Sequence, residues 1–255
     1  MEFGYVYEAG KRARNEDALI FRSSLFAAGE LVFAAVCDGM GGMEDGQDAS
    51  YFCVNEMEAW YDRQLLPLIG TCGLPSGEKE LKAAIQSKGF GLYRQINRQL
   101  FEQMRYRGRK MGTTATMCII YRKRYYLFHL GDSRAYLLGK FPGKFSCRQL
   151  TKDQGTERGL CKCLGLNKEW KPDFRTGALE KKGLLLCTDG FWRKYEPGVW
   201  KTCLNPVKMR DEAGMRKRLR ELADYNLRMG ETDNISALYV STGRTTSGRI
   251  LRKEG

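Results

Sequence analysis

Four aspartates stand where an apolar run meets a tight loop: Asp17 in RNEDALIF, Asp38 in VCDGMGG, Asp189 in LLLCTDGFW and Asp233 in GETDNIS. A carboxylate at the edge of a buried strand loses hydration and needs a cation or ordered donors beside it. Several gathered in one place repel one another, and a divalent ion that takes oxygen ligands relieves that repulsion most directly. Each DG or DN pair taken singly suits an ordinary turn. The recurrence of strand, then Asp, then Gly or Asn is what points to one shared site. With one histidine against 30 acidic residues, the implied ion is hard, magnesium or manganese rather than zinc or copper.

Rival chemistries fit the residues less well. Cys161 and Cys163 are separated by one residue, not the two to four usual for zinc, and His129 is the only histidine. The glycine loop after Asp38 has no Gly-Lys-Ser/Thr, so it is not a Walker phosphate cradle. Cys187 with Arg193, and Cys118 with Arg124, have the spacing of a thiol phosphatase loop. In the first, Asp189 would repel phosphate and raise the thiol pKa; in the second, no glycine frees the backbone amides. The apolar setting of Cys37, Cys118 and Cys187 reads as reduced core thiols.

The elements that must hold these aspartates can be read from periodicity. Short runs rich in β-branched and aromatic residues cover 31–37, 114–121, 124–130, 134–138, 183–187 and 235–240. The runs on either side of Arg122-Lys123 predict a hairpin, without the favoured Asn-Gly turn. Apolar residues three and four apart predict helices over 47–68 and 79–104, joined by TCGLPSG. A third amphipathic stretch, 207–229, carries Met215, Leu219 and Leu222 and stops at Gly230. Strands and helices are segregated along the chain, which favours antiparallel sheets covered by helices over a βαβ repeat.

The chain has 255 residues, of which 42% are hydrophobic, enough for one large globular domain. No apolar run reaches a membrane span and the N-terminus lacks a signal-peptide pattern, so the expected setting is the cytoplasm. The net charge of +13 favours anionic partners. The basic clusters lack the interleaved aromatics of a nucleic-acid reader, so a solvated basic surface is expected and nucleic acid is not.

Seven collinear segments, RARNEDAL, VCDGMGGMEDGQDAS, MGTTATM, LFHLGDSRAYLL, QLTKD, LLLCTDGFW and ETDNISALYV, resemble the successive motifs of the metal-dependent Ser/Thr protein phosphatases of type 2C, in their bacterial form. The resemblance runs from about residue 4 to 241. It implies an α+β fold, a four-layer αββα sandwich of two antiparallel sheets flanked by helices, over residues 1–242, with 243–255 left as a basic, flexible tail. It implies two Mn²⁺ or Mg²⁺ ions. Asp38 bridges them, Asp17 and the carbonyl of Gly39 complete one, and Asp189 and Asp233 complete the other. Glu16 and Asn234 steady the ligands, while Arg12, in preference to Arg14, binds the phosphate. Asp132 matches the aspartate that holds a third, weaker ion together with Asp189.

The reaction so implied is hydrolysis of phosphoserine or phosphothreonine in proteins by a hydroxide bridging the two ions, on substrates of a cognate Ser/Thr kinase. The loop has MGGM where many relatives carry a histidine, so metal-bound water is the expected proton donor and His129 a structural residue. Gln47 and Gln154 depart from the usual Glu and His, and the flap normally found after Asp153 is almost absent. That shortening leaves a second reading open, a catalytically silent module that binds phosphoproteins. The oligomeric state is not legible.

Overall fold

Strand β3 (Gly29–Asp38) shows how this sequence builds layers. Leu31, Phe33, Ala35 and Cys37 face one core, and the intervening Val32, Ala34 and Val36 face another. With both faces buried, the strand reads as a continuous apolar run rather than an alternation. The computed structural model describes residues 1–40, 45–72, 77–108, 110–141, 144–156, 159–160, 162–179, 182–195, 203–204, 209, 211–241 and 250–252.

Among these residues two large sheets form, antiparallel throughout. The first orders β1 (Glu2–Glu8), β12 (Ile235–Ser241), β11 (Gly183–Cys187), β6 (Arg134–Phe141) and β7 (Lys144–Gln149). The second orders β10 (Asp173–Ala178), β5 (Arg124–Leu130), β4 (Ala115–Tyr121), β3, β2 (Asp17–Phe26) and β13 (Ile250–Arg252). A small hairpin, β8 (Gly155–Thr156) with β9 (Gly159–Leu160), stands where the sequence lacks a longer flap.

Three apolar cores separate the layers. Between the sheets lie Val32, Val36, Leu184, Leu186, Leu238 and Val240. Outside the six-stranded sheet, its second face packs on α1 (Gly46–Trp60), a π-helical turn (Tyr61–Leu65), α2 (Leu66–Cys72) and α3 (Glu78–Arg107). Outside the five-stranded sheet, Leu185, Ala237 and Tyr239 meet α4 (Asp189–Trp192) and Met215, Leu219 and Leu222 of α5 (Glu212–Arg228). This is the expected αββα sandwich. None of the described helices is long and apolar enough to cross a membrane.

The expected helix 47–68 continues to Cys72 through the π turn, in which the Leu66 N–H donates to the Tyr61 carbonyl. Pro67 follows at once and has no N–H to extend a regular ladder, so the chain shifts register there. The third helix begins at Glu212, capped by Asp211, which accepts from the Gly214 N–H at 2.7 Å. Residues 207, 208 and 210 lie outside the described ones. Strands β1, β2, β7 and β10 were not among the expected runs. In β10 most residues are exposed or half-buried, so this edge strand has no apolar signature.

The expectation of a loose tail from residue 243 is corrected at residues 250–252. These pair with Ile20–Arg22 as β13, because β2 otherwise presents an open edge. Cys37, Cys53, Cys118, Cys147, Cys163, Cys187 and Cys203 are free thiols, with Cys37, Cys118 and Cys187 buried as expected; Cys161 lies outside the described residues.

Candidate metal centre

Antiparallel pairing brings the aspartates to one end of the sandwich. Asp17 opens β2 and Asp38 closes β3, and the two are register partners. Asp132 lies in the turn from β5 to β6. Cys187, the last residue of β11, pairs with Arg134 at the start of β6 and with Ala237 near the start of β12. Asp189, two residues beyond, and Asp233, just before β12, therefore emerge at that same end.

Carboxylate oxygens of Asp38, Asp132 and Asp189 lie within 4.8 Å of one another. Asp17 is buried beside them, and its Oδ2 accepts from the Thr188 hydroxyl at 2.9 Å. The Asp38 backbone is fixed on both sides: its N–H donates to Thr114 Oγ1 at 2.9 Å and its carbonyl accepts from the Thr113 hydroxyl at 3.0 Å. Burial pushes the Asp17 carboxyl up to about 8, with Asp189 and Asp233 adding to the rise. Burial and then Asp17 raise Asp38 well above the ordinary range. Asp132 rises to about 6 through burial and the nearby Asp189. Burial raises Asp189 too, against the opposing pull of Arg193.

These groups crowd negative charge into a poorly hydrated space with all-oxygen donors. That donor set fits hard divalent cations. Gly39 contributes by being small: a Cβ there would lie 2.3 Å from the Gly46 carbonyl oxygen and 2.5 Å from that of Glu16. Gly41 and Gly42 lie outside the described residues.

Asn234 links this end of β12 to the N-terminal loop. Its Nδ2 donates to the carbonyls of Ala9 and Arg14, each at 2.9 Å, and its Oδ1 accepts from the Glu16 N–H at 2.8 Å. The Glu16 carbonyl accepts from the Gly39 N–H at 3.0 Å, and burial raises its carboxyl. Arg12, on the loop so held, places Nη2 3.2 Å from Asp233 Oδ1 with its side chain 44% exposed. That leaves a guanidinium edge open to an incoming anion.

Sequence reasoning missed a second guanidinium. Arg193 bonds Asp189 and lies 3.3 Å from Glu231 and 3.7 Å from Asp233. Its signal was the four-residue spacing from Asp189, which one helical turn makes a contact. Thr114 and Thr188, the hydroxyls that hold Asp38 and Asp17, were also missed. Asp132 joins Asp38 and Asp189 directly.

His129 is buried between the Thr116 hydroxyl at 2.9 Å and the Lys152 carbonyl at 3.1 Å. Both ring nitrogens are thereby used, and burial lowers its pKa. Asp153 of the TKD segment is taken up by Arg134, whose Nη2 lies 2.6 Å from it while the guanidinium stacks 3.2 Å from the Trp192 ring centre. The GDSR and TKD segments thus form a structural clamp beside the site.

Residues 8–225 match the sequence model of the family described as Protein phosphatase 2C. The Serine/threonine protein phosphatase PstP of Mycobacterium tuberculosis is 27% identical over 249 residues, covering 89% of this chain and 42% of PstP; the chain spans less than half of that relative's length. Among solved structures, Serine/threonine phosphatase Stp1 from Staphylococcus aureus superposes with a TM-score of 0.75 at 20% identity, over 96% of each chain. The catalytic domain of PstP in complex with 2 manganese ions gives 0.67 at 24% identity, over 95% of this chain and 98% of that one. These two likenesses are of fold. With the match over 8–225, they lead to one conclusion: the chain belongs to the protein phosphatase 2C family.

Proposed function

We propose that the chain hydrolyses phosphoserine and phosphothreonine in proteins, using two Mn²⁺ or Mg²⁺ ions held at the aspartate end of the sandwich. The clustering of Asp38, Asp132 and Asp189 carboxylates carries this reading. Asp38 would be shared by the two ions, with Asp17 and the Gly39 carbonyl holding one and Asp189 and Asp233 the other. Asp132 would join Asp189 at a third. When bound, the ions supply an acidified water and neutralise charge on the phosphoryl oxygens.

The chain's own residues do the rest. Arg12 offers its exposed guanidinium edge to the non-bridging phosphate oxygens, a planar fork suited to two-point binding. Asp233 orients that fork, while Asn234 and the Glu16 backbone fix the loop that carries it. Thr114 and Thr188 hold Asp38 and Asp17. Arg193 pairs with Asp189 and lies 3.7 Å from Asp233, a counter-charge that a cation held by those carboxylates would take over.

Substrates on this reading are cytoplasmic phosphoproteins of a cognate Ser/Thr kinase. With manganese and a phosphothreonine peptide, phosphate release should fall at least about a hundredfold in Asp38→Asn. Equal turnover by parent and variant rejects the proposal. The short β8–β9 hairpin favours the second reading, a silent phosphoprotein-binding module. Tight phosphopeptide binding without phosphate release would establish it.

A further inference from the structure

A cleft separate from the aspartates has a volume of about 820 Å³. One wall is α3, through Arg94 and Arg98; the other is the 162–172 segment, through Lys162, Lys168 and Lys171. Five cationic side chains thus face one carboxylate, Glu169. Arg98 has Glu102 at 3.7 Å. Among the described residues, Arg94, Lys162, Lys168 and Lys171 have no ion-pair partner. Like charges at this density repel, and an anionic ligand removes the repulsion.

The walls are built together. Asn97, buried on α3, donates from Nδ2 to the carbonyls of Asn167 at 2.9 Å and Lys168 at 3.0 Å, and its Oδ1 accepts from the Gly165 N–H at 3.0 Å. One amide therefore satisfies three backbone groups and sets the loop bearing Lys168 against the helix bearing Arg94.

The aromatic residues decide between kinds of anion. Lys162 Nζ sits 5.6 Å from the Trp170 ring centre and Lys171 Nζ 4.9 Å from that of Phe90. Phe90 also meets Phe128 and Phe174 at 5.9 and 6.2 Å. A single-stranded nucleic acid needs open ring faces on which to stack its bases, and here ammonium groups cap them. Carboxylates need only the cations.

The wall also connects to the aspartate end. Leu164 is bridged to Thr113, and Thr113 to Gly39. We propose that this cleft binds an acidic peptide segment and selects phosphoprotein substrates in which Asp and Glu accompany the phosphorylated residue. The selection, though not the binding, rests on the phosphatase reading above.

Two matched phosphothreonine peptides, one with an acidic flank and one neutral, test it, with p-nitrophenyl phosphate as a substrate too small to reach the cleft. The full chain should show a KM roughly tenfold lower for the acidic peptide at equal kcat. Arg94→Glu with Lys168→Glu should abolish that preference and leave p-nitrophenyl phosphate turnover unchanged. Both side chains are exposed, and the neutral pair Arg94→Gln with Lys168→Gln should give an intermediate loss. A parent without preference, or a preference that survives charge reversal, overturns the proposal.

Binding of an unphosphorylated acidic peptide, followed by calorimetry, reads the cleft without catalysis. Its loss on charge reversal supports the proposal, and unchanged binding overturns it. Tighter binding of a single-stranded oligonucleotide at physiological salt also overturns it. Absence of phosphate release from every substrate would reject the phosphatase reading while this binding measurement still decides the cleft.

Discussion

Arg193 reaches three carboxylates, those of Asp189, Glu231 and Asp233. It occupies, as a partly exposed cation, part of the charge environment that a divalent ion needs. Removing it has two opposed effects. Arg193→Ala should tighten Mn²⁺ binding roughly three- to tenfold in calorimetry, because no resident charge has to leave. The same change should destabilise the metal-free chain by about 1–3 kcal/mol, because buried Glu231 loses its cation. Weaker manganese binding in the variant would show that Arg193 supports the ion instead. The four strand-end aspartates were legible because each follows or opens an apolar run. Arg193 carried only its four-residue spacing from Asp189 as a signal, and its meeting with Glu231 was not legible, since that depends on the direction in which α4 leaves β11.

The β4–β5 hairpin turns on two non-glycine residues with positive φ, Arg122 at 50° and Lys123 at 61°. That backbone matches the twist of the strands and normally selects Asn-Gly. An L-residue costs roughly 1–2 kcal/mol in the left-handed region. Against this, Arg122 places its guanidinium 5.3 Å from the Tyr121 ring centre, worth about 0.5–1 kcal/mol at an exposed site. Arg122→Asn with Lys123→Gly should therefore stabilise the chain by about 1 kcal/mol in chemical denaturation, and a loss of stability would contradict this account. The hairpin itself was legible because its strands are apolar. Edge strands β7 and β10 and the π turn at Tyr61–Leu65 were not, since partly solvated pairing and Pro67's missing N–H leave no periodic trace.

The pH dependence of stability belongs to the whole molecule, because opposing groups contribute. Asp17, raised from 3.8 to about 8, stabilises the metal-free fold below pH 4, and that contribution is lost as pH rises towards 8. Asp132, raised to about 6, acts in the same direction at lower pH. His129 acts oppositely: its folded pKa lies below 6.5, so stability falls as acid protonates the unfolded chain. Above about pH 7 the histidine is mostly neutral in both states, and the raised carboxyls of Asp17 and Asp38 set the trend up to about 8. Thermal melts in chelator should show Tm falling from about pH 7 to 8, and saturating manganese should reverse the trend. A Tm that rises over that range without metal would contradict the strained-carboxylate description.

The hydrogen bond from Thr188 to Asp17 crosses from the five-stranded sheet to the six-stranded one at the end where the aspartates collect. With the Tyr7 hydroxyl, which donates to the Asp17 carbonyl at 3.0 Å, it is one of the polar ties at this end between two slabs whose shared core is apolar; apolar contacts resist separation but have little directional resistance to sliding. A pulling force that shears one slab over the other therefore loads this tie directly. Under such shear the alignment of the carboxylates should be lost while the apolar interface is still closed.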